Sequence, residues 1–348
     1  MKMAGETIAH ARNIVVRIEA ADGTSGWGEG ASAPTMTGDT LGGLVAAVRD
    51  HLAPRLIGKD AWQRPVLMAM LQSTLIGNTG AHSAVEMALL DLAGRKTALP
   101  LIDLLGGAVR QAVAPMWLLG NDTPDEDVAE AKAKLREGFR FFKLKVATKS
   151  LDQDIAATHA VREVLGPDMQ LCADANCGFS LEAAQRYVEA TRASGLLFLE
   201  QPLAAEDLAG LTTLARLSPI PIGVDEGIHA LRDIEAHAQC GAGGVSLKLI
   251  KLGGFGAALE AAALCERRGL QINVAAKVAE SSIASAAAIH LACALPHVAW
   301  GVSLTHIYLA EDLVRTPLLQ HDGTIALPDA HGLGVEVDEA AIERFRVA

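Results

Sequence analysis

The chain begins its regular patterning with a β-branched, alternating run, Ile14-Val15-Val16-Arg17-Ile18. An Asp22-Gly23 turn then sends it back through Gly26-Trp27-Gly28-Glu29, which predicts a hairpin over Asn13 to Glu29. Three stretches of helical periodicity follow, at Thr40 to Leu56, around Val66 to Leu75, and at Ala84 to Ala98. The third places Val85, Ala88, Leu89 and Leu92 on one face and stops before Pro100, as a helix must. Residues 1–112 therefore read as an α+β unit.

Beyond Val113 short apolar runs alternate with Ala-rich amphipathic stretches. Predicted strands are Ala114 to Leu118, Phe141 to Val146, Gln170 to Ala173, Leu196 to Glu200, Ile222 to Asp225, Gly244 to Leu249, Gln271 to Ala275 and Ala299 to Leu304. Charged residues mark the carboxyl ends of five of them: Lys145, Asp174, Glu200, Asp225 and Lys248, at intervals of 29, 26, 25 and 23 residues. Such an interval holds one strand, one helix and two loops, so residues 113–317 read as repeated βα units able to close a barrel. The tail, 318–348, carries an Asp322-Gly323 turn and is expected to return to the first unit.

Composition narrows the function. Half of the 348 residues are apolar and a fifth are charged, enough for a large core and unlike a disordered chain. A formal charge of −11 argues against nucleic acid or an anionic membrane as the main partner. No run approaches the roughly 20 apolar residues of a membrane span, and the first six residues lack a signal-peptide core. Five scattered cysteines, Cys172, Cys177, Cys240, Cys265 and Cys293, read as reduced thiols of a cytoplasmic protein.

In a parallel barrel the chemistry gathers at the carboxyl ends of the strands. Period two in Phe141-Phe142-Lys143-Leu144-Lys145-Val146 sends both lysines to one face. Crowded and partly buried, they are expected to have lowered pKa values, suited to a general base; the alternative is an exposed strand end with two solvated lysines. Asp174, Glu200 and Asp225 end the next three strands and would repel one another at one barrel mouth unless a cation neutralised them. All-oxygen ligation selects Mg²⁺, with Mn²⁺ able to substitute, over zinc or copper. Singly, each acid could be a helix cap. Lys248, in Ser246-Leu247-Lys248-Leu249-Ile250-Lys251, falls across the barrel from Lys145, and its parity with the flanking leucines favours it over Lys251 as the inward residue. Two bases flanking a cation-held carboxylate suit removal of an α-proton from one face and its return on the other.

These residues resemble the enolase superfamily and, within it, the muconate lactonizing enzyme subgroup of the mandelate racemase/muconate lactonizing enzyme family. The resemblance covers nearly the whole chain. It rests on Gly26-Trp27-Gly28-Glu29, the Ala84 to Ala98 helix running into Leu104-Leu105-Gly106-Gly107, Lys143-Leu144-Lys145, Asp174-Ala175-Asn176, Glu200-Gln201-Pro202, Asp225-Glu226, and Lys248 before Gly253-Gly254. It implies a modified (β/α)7β TIM-type barrel under an α+β capping domain formed by the N-terminal region and the C-terminal tail. It further implies Mg²⁺ on Asp174, Glu200 and Asp225, acid/base catalysis by Lys145 and Lys248, and Lys143 as the cation beside the substrate carboxylate. Asn176 and Glu226 would support the metal site. Glu280, in Ala279-Glu280-Ser281-Ser282, matches a family acid near the substrate, or else caps the helix after it. Ser32, Thr35 and Met36 would form a cap loop that, with the N-terminal segment, sets substrate choice.

Two departures stand out. The first six residues read as starting inside the capping loop, so the start is truncated or the cap sheet is smaller. The paired aspartates that dipeptide epimerases carry at the last strand are replaced by Val302-Ser303-Leu304-Thr305-His306, which disfavours a dipeptide; Thr305 becomes a candidate substrate contact there, whereas a lone His306 reads as structural. Lys277 is expected either to meet an anionic part of the substrate or to point into solvent. The expected activity is Mg²⁺-dependent abstraction of the proton α to a carboxylate through an enediolate, ending in racemisation or epimerisation of an amino-acid derivative. Alternatives are a cycloisomerase or acid dehydratase on the same enediolate, and a non-catalytic carboxylate-binding barrel. A small-molecule carboxylate and a homo-oligomeric assembly are the partners expected.

Overall fold

The computed structural model describes residues 2–3 and 6–347. Lys2–Met3 pairs antiparallel with Glu6–Thr7. The expectation of a start inside the capping loop lies in good part outside the described residues. The predicted hairpin is present as Asn13–Glu19 against Ser25–Ala31, and among the described residues these two strands make the whole of their sheet.

Period two explains the glycines of the returning strand. Gly26, Gly28 and Gly30 all face the helix Thr79–Thr97, whose backbone lies so close that a Cβ on Gly28 would meet the Ala84 carbonyl oxygen at 2.0 Å. The hairpin and helix are thus in backbone contact, and Trp27, Glu29 and Ala31 point the other way. That helix is buried on nearly every side and starts five residues before the predicted Ala84, because Gly80 to Ser83 are buried by packing that no one-sided periodicity announces. Thr40 caps a helical stretch through Leu56 that opens into a π-turn over Ala47–Leu52.

Eight parallel strands follow in sequence order: Met116–Leu119, Phe141–Lys145, Gln170–Asp174, Leu199–Glu200, Ile222–Val224, Gly244–Leu247, Gln271–Ala275 and Val302–Ser303. A bridge from Pro115 to Val302 closes the ring. A longer helix packs outside after each of the first seven strands, which makes the fold a (β/α)7β barrel. Capping boxes start two of these helices, Thr123 with Glu126 and Ser150 with Gln153.

Strand parity sorts the side chains into layers. Outward Phe142, Leu144, Leu171, Ala173 and Leu199 join the core between strands and helices. Inward Met116, Phe141, Cys172 and Phe198 plug the amino-terminal end with Trp300, whose ring stacks on Phe198 at 4.2 Å. Two residues further along the same strands the inward positions are Lys143, Asp174 and Glu200. An apolar floor therefore underlies a charged layer, and the charges cannot sink into the barrel without meeting it.

The tail runs back to the N-terminal unit. Ile325–Ala326 pairs with Ala112–Val113. Buried Asp91 ties three segments together, accepting from Trp27 N (2.9 Å), Leu333 N (2.7 Å) and Arg95 Nε (2.8 Å). Among the described residues no helix is long and apolar enough to cross a membrane. All five cysteines are free.

Candidate active site

Ladder register builds the site. Lys145 pairs with Asp174, and Asp174 with Glu200, so three functional residues sit level on adjacent strands. Asp225 follows the fifth strand and Lys248 the sixth. The side chains of Lys143, Lys145, Asp174, Asn176, Glu200, Asp225, Lys248, Lys277 and Thr305 line one cavity, which Met36 covers. Each charged member is at most 7% exposed, so the solvated-lysine alternative fails for Lys143, Lys145, Lys248 and Lys277 alike.

Every carboxylate is turned onto an ammonium. Lys145 Nζ donates to Asp174 Oδ2 at 2.6 Å and to Asn176 Oδ1 at 2.9 Å. Lys143 donates to Glu200, and Lys248 to Asp225 Oδ2. Burial works against the charges of Lys143 and Lys248, but Glu200 and Asp174 outweigh it at the first, and Asp225 and Glu226 at the second. Both lysines hold their protons above the ordinary range. This corrects at Lys143 the expectation, drawn from crowding and partial burial, of a lowered pKa: the acids at the same level matter more than burial and like-charge repulsion. The complement holds for Asp174 and Asp225, whose burial is outweighed by the lysines, so both stay ionised to unusually low pH.

Lys248 is the inward residue, as parity predicts, and Lys251 lies outside the cavity, though buried rather than solvated. The strand ends at Leu247 and a helical turn, Leu249–Leu252, begins at once. Lys248, extended, precedes the turn and Lys251 lies within it, and both reach Asp225. Fully buried Lys251 donates to Asp225 Oδ1 (2.6 Å) and Ser246 O (3.1 Å), behind the cavity wall. Burial lowers its pKa despite Asp225. Two other residues went unremarked. Ser246 donates its hydroxyl to Glu200, and Gln201 Oε1 accepts from Asp225 N at 2.9 Å and Gly227 N at 3.2 Å. The shared parity of Ser246 with Lys248 was a usable signal for the first.

Asn176, in the left-handed region at φ 40°, bridges the acids: its N–H donates to Asp174 Oδ1 (3.0 Å) and its amide to Glu226 Oε1 (2.9 Å). Glu226 is pushed up to about 7 by burial and by Asp225 and Asp174, and its other oxygen, Oε2, is buried without a hydrogen-bond partner. Among the described residues no three acidic, His or Cys side chains are drawn into a cage ready for a metal. The donor set nevertheless fits a hard divalent cation: the buried carboxylates of Asp174, Glu200 and Asp225 share one cavity, Glu226, next in the chain to Asp225, has an unpartnered oxygen, and no sulfur or imidazole lies on the cavity wall apart from the Met36 thioether.

Glu280 lines an adjoining cavity that shares Lys248. Burial, and then Glu29, push it up to about 8. Ser281 rather than Glu280 caps the helix Ser282–Ala294, its Oγ accepting from Ile283 N at 3.2 Å, and Glu29 from the N-terminal hairpin reinforces the cap by accepting from Ser281 N (3.0 Å), Ser281 Oγ (2.6 Å) and Ala284 N (3.1 Å). Thr305 gives its hydroxyl hydrogen to Lys277 O at 2.6 Å. Of the cap-loop residues only Met36 reaches the cavity, its Sδ 3.7 Å from Lys248 Nζ. Ser32 bonds within the loop, to Asp39 O, and Thr35 is exposed, away from the cavity wall. His306 bonds Leu318 O at 2.7 Å and has a structural place.

Comparison with known proteins accords with this geometry. Residues 126–341 match the family model described as enolase C-terminal domain-like, and residues 1–106 match the mandelate racemase/muconate lactonizing enzyme N-terminal domain. Muconate cycloisomerase 1 of Pseudomonas putida is 32% identical, over 99% of this chain and 93% of its own. L-Ala-D/L-Glu epimerase of Bacillus subtilis is 30% identical, over 96% and 92%. The solved muconate lactonizing enzyme of Pseudomonas fluorescens, in complex with muconolactone, superposes with a TM-score of 0.96 at 31% identity, over 99% of this chain and 94% of that one.

Proposed function

Because the chain belongs to the mandelate racemase/muconate lactonizing enzyme family and is an isomerase of the enolase superfamily, we propose that it removes the proton α to a carboxylate and returns one to the opposite face, racemising or epimerising an amino-acid derivative. One observation carries this reading. Lys145 ends the second of eight strands and Lys248 follows the sixth, so the two amines face each other across the same cavity.

Asp174, Glu200 and Asp225 would hold Mg²⁺, with Mn²⁺ as a substitute. When bound, the ion supplies positive charge beside the substrate carboxylate oxygens, where negative charge develops. Lys143, next to Glu200, adds a second positive charge on that side. Lys248 keeps its proton while Asp225 faces it; as Asp225 is drawn away the amine loses the partner that favours its charged form. Lys251, bonded to the other oxygen, Oδ1, keeps the carboxylate at the cavity wall while Oδ2 turns from Lys248. One opposed lysine takes the proton, the other donates, and the Met36 loop keeps water from the carbanionic carbon.

Cycloisomerisation is the second reading, favoured by the 32% identity to a muconate cycloisomerase. Incubation with Mg²⁺ in D₂O separates the two. N-acylated amino acids recovered as both enantiomers with deuterium at the α-carbon support racemisation. Lactone from a dienoic diacid, with no exchange of any amino-acid derivative, would replace the first reading with the second.

A further inference from the structure

Lys277 stands on the side of the barrel that the carboxylates do not occupy. Asp174, Glu200 and Asp225 follow strands three to five, whereas Lys277 leaves strand seven, four strands from Asp174 in a ring of eight. It is 5% exposed and lines the same cavity. The turn that presents it is pinned from several directions. Lys277 N donates to Glu280 Oε2 (2.8 Å), Lys277 O accepts from Thr305 Oγ1 (2.6 Å) and Glu280 N (3.1 Å), and Asn13 Nδ2 from the N-terminal hairpin holds Ala279 O at 2.8 Å. Ala279 is kept at φ 75°, a conformation unfavourable for an L-residue. Strain of this kind persists only where the surroundings enforce it.

We propose that Lys277 is a specificity-determining residue whose ammonium receives a second anionic group, a carboxylate, at the end of the substrate remote from the reacting carbon. The assignment rests on the proton-abstraction reading, which places the first carboxylate on the side of Asp174, Glu200 and Asp225. A substrate reaching from there across the cavity ends at strand seven. A second anion is matched there, and a cationic tail is repelled.

The test is calorimetric binding, at saturating Mg²⁺, of straight-chain diacids from succinate to suberate, each beside its monoamide. At least one diacid binds the wild type about tenfold or more tightly than its monoamide. Lys277→Met abolishes the preference and leaves Mg²⁺ affinity unchanged, and Lys277→Arg retains the preference. Lys277→Gln gives the same reading as the Met variant should that variant not fold. A preference that survives in the Met or Gln variant, or no diacid preference in the wild type, overturns the assignment. Deuterium uptake at the α-carbon of N-acylated amino acids, followed for the wild type in parallel, keeps the two claims apart. Exchange without diacid preference removes the role of Lys277 alone, whereas no exchange with any acid removes the reaction it rests on.

Discussion

Glu29 joins the N-terminal hairpin to the barrel, and its replacement measures that joint. The buried carboxylate takes hydrogen bonds from four donors: Asn13 Nδ2 (2.6 Å), Ser281 N, Ser281 Oγ and Ala284 N. Burial raises its pKa, so part of the gain from those bonds is spent on desolvating the charge. Glu29→Ala removes that cost but strands several buried donors at about 1–3 kcal/mol each. The expected net loss is about 3–5 kcal/mol, with about 2 kcal/mol for Glu29→Gln, which keeps the volume and one acceptor. Urea unfolding at pH 7 gives both numbers. Because the same helix start adjoins Glu280 and the Lys277 turn, ligand affinity should fall in step with stability. An alanine variant within about 1 kcal/mol of wild type would show that water or a neighbouring side chain fills the joint, and that the hairpin is not anchored through this residue.

Lys251→Met leaves Asp225 with Lys248 as its one ammonium partner, and a loss of about 2–3 kcal/mol in urea unfolding is expected; Mg²⁺ should restore part of it, and a loss under about 0.5 kcal/mol would mean that Lys251 does not hold Asp225. Glu280 supplies a pH dependence. Its pKa is raised from 4.5 to about 8, so between those values the native state holds a proton that the unfolded chain has released. Its contribution to stability is full below about pH 4.5 and is lost as pH rises through 8, with a slope on the order of 1.4 kcal/mol per unit. Glu280→Gln should therefore gain on the wild type from pH 5.5 to 8 in urea midpoints, and parallel curves for the two proteins would contradict the assignment.

What could be read from the sequence divides along physical lines. Period two placed Lys143 and Lys145 on one face, and the regular spacing of the strand-end charges brought Asp174, Glu200, Asp225 and Lys248 to one mouth, since a barrel repeats its geometry with each unit. The burial of Lys251 against Asp225 was hidden because the period changes from two to 3.6 at Leu249, where parity no longer says what a side chain meets. The pKa direction at Lys143 was missed because it depends on Glu200, a partner 57 residues away. The early start of the Thr79–Thr97 helix and the inter-unit reinforcement of a helix cap by Glu29 were equally hidden: both arise from contacts between elements. Within the cap loop, sequence order alone could not tell that Met36 reaches Lys248 while Ser32 turns back on its own loop.

The central claim is that two amines serve opposite faces of one carbon. With Mg²⁺ in D₂O, the wild type should wash the α-proton from both enantiomers of an N-acylated amino acid. Lys145→Ala and Lys248→Ala should each stop washout from one enantiomer and spare the other, in opposite senses. Equal loss from both enantiomers in both variants, or continued racemisation without either lysine, would contradict the account.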